Sequence, residues 1–125
     1  MGKVIMKPDI RTKRVYENAQ ADDGFRVLVD WVWPRGMTKE RMHADLWLKE
    51  VAPGTPLRTW FAHDRAKWAE FKRRYEQELA ANPEPVARLL EAAAKGRVTL
   101  LFSARDEECN QAVALREYLL SHSRG

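Results

Sequence analysis

Two short runs of consecutive apolar residues, FRVLVD at 25–30 and RVTLLFSA at 97–104, stand apart from the helical spacing that dominates the rest of the chain. Runs this short, rich in valine and leucine and closed by polar residues, predict strands buried on both faces. VIMKPDIRTKRVYE at 4–17 reads as an extended opening strand interrupted by Pro8, and NAQADDG at 18–24 as a turn-rich loop. Trp68, Phe71, Tyr75 and Leu79 recur at intervals that place them on one face of a helix over 65–80, with Asp64 as its cap. Glu70 with Arg74, and Lys72 with Glu76, form i,i+4 pairs on its other faces. Asn82-Pro83 opens a further helix whose stripe is Val86, Leu89, Leu90 and Ala93, and Gly96 ends it.

Shorter elements fill the middle of the chain. Thr38 caps a helix over 39–43, and Asp45 begins a turn that sends Trp47, Leu48 and Val51 to the core. Thr55 before Pro56 predicts a short helix over 57–61. The final helix is expected over 105–120, with acids in its first turn and packing through Ala112, Leu115, Tyr118 and Leu119. Strand, helices, strand, helix is the order of a small α/β domain, 1–125, with a mostly parallel sheet flanked by helices. In open parallel sheets ligands sit beyond the strands' carboxyl ends. Parallel neighbours at 25–30 and 97–103 would bring the exits 30–36 and 103–110, with 61–64, to one rim.

Composition supports one core: 45% of the residues are hydrophobic and 10% aromatic, which is not a disordered profile. Five tryptophans are many for 125 residues; some are expected at a pocket or interface, the alternative being that most fill the core. Net charge is +4, with 11 basic and 8 acidic residues in 1–62 and 11 and 10 in 63–125. Charge this dispersed argues against nucleic acid as a partner, although a basic face gathered by the fold would reverse that. One cysteine, Cys109, permits no intramolecular disulfide and suits a reducing cytoplasm. No leader pattern and no membrane-length apolar run is present. No Walker A, GxGxxG, GxSxG or HExxH pattern occurs, which disfavours an NTPase, a dinucleotide dehydrogenase or an ordinary α/β-hydrolase.

The candidate chemistry gathers in the strand exits. VDWVWPRG at 29–36 puts Asp30, two tryptophans, Pro34, Arg35 and Gly36 into one turn. Asp30 and Asp106 are candidate acid/base groups that two facing strands would bring near each other. The structural alternative has Asp106 capping the last helix and Asp30 accepting backbone N–H bonds. Proline and glycine around Arg35 aim its guanidinium, either at an anion in two-point contact or into an ion pair with Asp30. His63 in FAHD is a candidate proton carrier, and Trp33, Gly36, Asp64, Arg105 and Asn110 are candidate ligand contacts. His43 and His122 read as surface residues. The three histidines and Cys109 have no metal-ligand spacing, so no metal is expected and no cofactor is assigned. Cys109 would lie in a helix's first turn, where the dipole lowers a thiol pKa and Glu107 and Glu108 oppose it.

DDGFRVLVDWVWPRG, LWLKEVAPGTPLRTWFAHD, EFKRRYEQEL and VTLLFSARDEECNQAVALREYL, in this order from about residue 9 to 120, resemble the YeaO-like branch of the domain-of-unknown-function 488 family. The resemblance implies a small cytosolic α/β protein and carries no reaction with it. By position it adds Pro34, Trp60 and Phe61 to the pocket candidates. The chain departs from the pattern where Trp31 replaces an expected arginine, and where Cys109 and Gln111 replace expected histidines. The resulting expectation is a pocket for a small polar or anionic ligand, with Arg35 orienting the anion and Trp33 as a wall. The alternatives are a protein-interaction module and, behind it, a nucleic-acid module.

Overall fold

The computed structural model describes residues 8–123. Four strands form one sheet in the order β1-β4-β2-β3, where β1 is Ile10–Arg14, β2 Phe25–Leu28, β3 Leu46–Trp47 and β4 Val98–Phe102. Every pairing is parallel, and Val27 and Leu28 of β2 lie opposite Leu100 and Leu101 of β4. All five residues of β4 are buried, as an apolar run in the centre of a parallel sheet requires. The expected α/β architecture, a parallel sheet flanked by helices, is therefore the observed one. The first four residues of the predicted opening strand, 4–7, lie outside the described residues; the rest begins later than predicted, at Ile10, after Pro8.

Side chains alternate across the sheet and build two unequal cores. Val27, Val29, Val98, Leu100 and Phe102 face a large core completed by four helices: α2 (Thr55–Phe61), α3 (Trp68–Ala81), α4 (Pro83–Lys95) and α5 (Gln111–His122). Leu28 and Leu101 face a small one with Val15, Met37 and Met42, the last from the single turn α1 (Lys39–Met42). Thr38 caps α1 by accepting from the Arg41 N–H, as predicted. Phe71, Tyr75 and Leu79 of α3 are buried on one face, and the Tyr75 hydroxyl donates to the Val51 carbonyl at 2.5 Å.

Four local expectations are corrected. Asp45 opens no helical turn: its carboxylate accepts from the Arg26 N–H, and Leu46–Trp47 pairs with β2 as an edge strand. Two residues carry too little periodicity to announce a strand. Asp64 caps a 3₁₀ turn over Arg65–Lys67, with α3 starting only at Trp68. Lys72 pairs with Glu117 across to α5 rather than with Glu76, while the Glu70–Arg74 pair does form. The final helix begins at Gln111, and 105–110 is loop, because Asn110 and not an upstream acid accepts from the Val113 N–H. Cys109 therefore precedes the helix and gains nothing from its dipole; burial pushes its thiol up.

The small-core side also holds a buried ionic cluster. Asp23 accepts from Lys13 and from Arg26, whose remaining nitrogens donate to the His43 and Met42 carbonyls. Gly24 follows with φ +70°, and a Cβ there would lie 2.3 Å from the Arg97 carbonyl oxygen, so the turn into β2 admits only glycine. Removing one partner of a buried pair leaves the other charge uncompensated. Asp23→Ala is expected to lower the unfolding free energy by about 3–5 kcal/mol, read by urea denaturation. A loss under ~1 kcal/mol would show that the cluster contributes little.

Candidate functional site

β2 and β4 end side by side, and each hands over from apolar strand to polar loop at one residue, Asp30 and Ser103. Asp30 is only 7% exposed. Its Oδ2 accepts from the Ser103 N–H at 3.0 Å and the Ser103 hydroxyl at 2.6 Å, and Oδ1 accepts from the Gln111 amide. One carboxylate thus ties the ends of two strands to the first turn of α5. Burial pushes the Asp30 carboxyl above its usual 3.8, against the pull of Ser103, Gln111 and His63.

Around this clamp lies a cavity of about 770 Å³, lined by the 30–35 exit of β2, the 103–106 exit of β4 with Asn110 and Gln111, Phe61 at the end of α2 and His63 just beyond it. Each of the three predicted loops contributes residues to this one concavity, though Gly36, Ala62, Asp64 and Glu107 to Cys109 do not line it. His63 reaches it through a strained bend: Ala62 and His63 both have positive φ, 45° and 58°, a cost of about 1–3 kcal/mol each for residues with a Cβ. Two cations stand at the mouth, Arg35 from the β2 exit and Arg105 from the β4 exit, both exposed. Among the described residues neither side chain forms an ion pair.

A family model described as the inactive DUF488-N3 subclade matches residues 9–124. The chain belongs to that subclade. It is similar to the uncharacterized protein YeaO of Escherichia coli, 41% identical over 90% of this chain and 98% of that protein. It is also similar to the uncharacterized proteins Mb3100c of Mycobacterium bovis and Rv3073c of Mycobacterium tuberculosis, each 34% identical over 93% of this chain and 98% of theirs. No solved structure matches.

In this DUF488-N3 chain the two candidate carboxylates face separate duties. Asp106 lines the cavity with Asp30, but Arg65 grips it in two-point contact at 2.8 Å and 2.8 Å. It also accepts from the Glu108 and Cys109 N–H groups. The Arg65 guanidinium, helped by those amides, holds the Asp106 carboxyl at about 2. It orders the 105–110 loop and does not cap α5. Asn110 is buried and spent on the same loop, its amide donating to the Asp106 carbonyl while its oxygen caps α5. Asp30 forms no pair with Arg35, whose carbonyl instead accepts from the Tyr16 hydroxyl. Asp64 is engaged with the Ala66 N–H and, like Gly36, does not line the cavity.

Nine lining residues are not among the contacts the sequence names, Trp31, Arg58, Phe71, Ser103 and Gln111 being those with aromatic, charged or polar side chains. Ser103 is the first polar side chain after five buried positions, a signal of the same kind as Asp30. Gln111 was weighed only as a missing histidine, and its bond to Asp30 spans 81 residues of sequence. None of the five tryptophans reaches the fully buried class, and Trp47, expected in the core, is 37% exposed with its indole N–H donating to the Asp30 carbonyl.

Two outcomes follow. Asp30→Ala strands buried donors on Ser103 and Gln111 and is expected to cost about 1–3 kcal/mol in denaturation. Asp30→Asn keeps an acceptor for Ser103, and a turned Gln111 amide restores the other bond. Because the folded Asp30 pKa is raised, the neutral form is favoured below the unfolded value and that advantage fades as pH rises through the folded value. Asp30→Asn should therefore match the wild type near pH 4 and equal or exceed it at pH 7. Asp106, with a depressed folded pKa, contributes stability above about 4 that is lost as pH falls towards 2. Side-chain carboxyl NMR should find its midpoint near 2, moving towards 3.8 in Arg65→Ala.

Proposed function

We propose that this DUF488-N3 protein binds a small anionic ligand at the carboxyl ends of β2 and β4 and performs no chemistry on it. The observation that carries the reading is the pair of unpartnered guanidiniums, Arg35 and Arg105, on opposite exits of one cavity. Cations left without internal acids at a concave site favour a carboxylate or phosphate in charge-assisted contact. Two further observations agree with binding over catalysis. Asp106 is paired with Arg65, which holds it well below the usual carboxylate range and makes it a poor base, and Asp30 is tied by three donors into joining the strand ends to α5. The subclade itself is described as inactive.

A protein-interaction face is the second reading, favoured by Trp31 and Val32, which are 47% and 64% exposed beside the cavity mouth. The experiment that separates the two is calorimetric titration with inorganic phosphate and citrate. Saturable binding is expected, weakened about tenfold by Arg35→Ala and again by Arg105→Ala, the loss of about one charge-assisted bond each. Unchanged affinity in Arg35→Ala removes its role, and no anion binding to the wild type favours the interaction face.

A further inference from the structure

We infer that the ligand of this cavity is an aromatic anion: a planar ring seated between aromatic walls, with its phosphate or carboxylate held at the mouth by Arg35 and Arg105. The inference rests on the anion-pocket reading and adds the body of the ligand to its charged head. A bare inorganic anion is far too small for about 770 Å³, a volume in the range that encloses a whole organic ligand.

The walls say what kind of body fits. Phe61 and Phe71 form the apolar end of the cavity but are buried and stacked on each other at 4.2 Å between ring centres, so the aromatic surface open to a ligand is that of Trp31 and Trp33. Trp33 is half-buried and held rigidly, its indole N–H donating to the Met37 carbonyl at 2.6 Å and its ring meeting Trp47 edge-on at 5.5 Å. A wall fixed before the ligand arrives costs no ordering on binding. Trp31 stands at the mouth, 47% exposed, with Lys49 and Arg58 each 5.9 Å from its ring. A large aromatic surface left in water beside a cavity gains by being covered, and the neighbouring cations add to the field that draws an anion in. The Ser103 hydroxyl and the Gln111 amide N–H are committed to Asp30, so recognition falls to the Trp31 and Trp33 rings and the guanidiniums, with His63 also lining the cavity.

Phenyl phosphate and methyl phosphate present the same head with and without the ring. Titration of the full chain is expected to give about tenfold tighter binding of phenyl phosphate, the worth of one stacked ring. Arg35→Ala should weaken both probes, and Trp31→Ala should remove most of the phenyl preference. Equal affinities for the two probes overturn the aromatic ligand and leave the anion pocket standing. A phenyl preference undiminished in Trp31→Ala overturns the place given to that ring. If neither probe binds the wild type, both readings fall together.

Discussion

The side-by-side, same-direction pairing of β2 with β4 is the constraint on which the rest depends. Because the strands are parallel, their amino ends share one edge and their polar exits share the other. The pairing follows from burial: Val27 and Leu28 of β2 and Val98, Leu100, Leu101 and Phe102 of β4 are buried on both faces of the sheet, with the polar Arg26 and Thr99 between them bonded to Asp23, and a central parallel strand is where such cover is found. Once they are neighbours, Asp30 and Ser103 fall next to each other with no further instruction, and the turn that follows Asp30 becomes a wall.

A buried carboxylate at this point would be expensive if it were alone. Here the cost is offset by three donors from two elements, and the same bonds fix the angle between the sheet and α5. The other buried acid, Asp23, combines one neutral donor, the Gln20 N–H, with two cations, Lys13 and Arg26. The contrast divides the molecule. The small-core side holds the Asp23 charge pairs, whereas on the cavity side Asp30 takes neutral donors and Asp106 takes Arg65, and Arg35 and Arg105 form no ion pair among the described residues. A rim with surplus cations above an aromatic interior has the polarity of a receptor for a charged ring.

Much of this was legible in the sequence wherever a residue's role is local. The cap at Thr38, the stripe of α3 and the two buried strands follow from spacing alone, whereas Asp64 caps a 3₁₀ turn ahead of α3 and not the helix itself. What the sequence hid depends on distance along the chain. Arg65 meets Asp106 across 41 residues, and Gln111 meets Asp30 across 81, and nothing in either neighbourhood announces the partner. The start of α5 was misplaced for the same reason: RDEECN carries good helix-opening acids, but Asp106 is drawn off by Arg65 and the helix waits for Asn110. Trp47 was misjudged because its strand has two residues, too short to show which side it faces.

Amide and indole chemical-shift mapping with phenyl phosphate tests the central claim most directly, since it reports where on the molecule a charged ring sits. The account predicts that the shifts gather at the exits of β2 and β4, on Trp31, Trp33, Arg35 and Ser103 to Arg105, and leave the surface at the strands' amino ends, around Phe25, Arg88 and Lys95, unmoved. Shifts confined to that other surface, or scattered over exposed lysines and arginines, would contradict it.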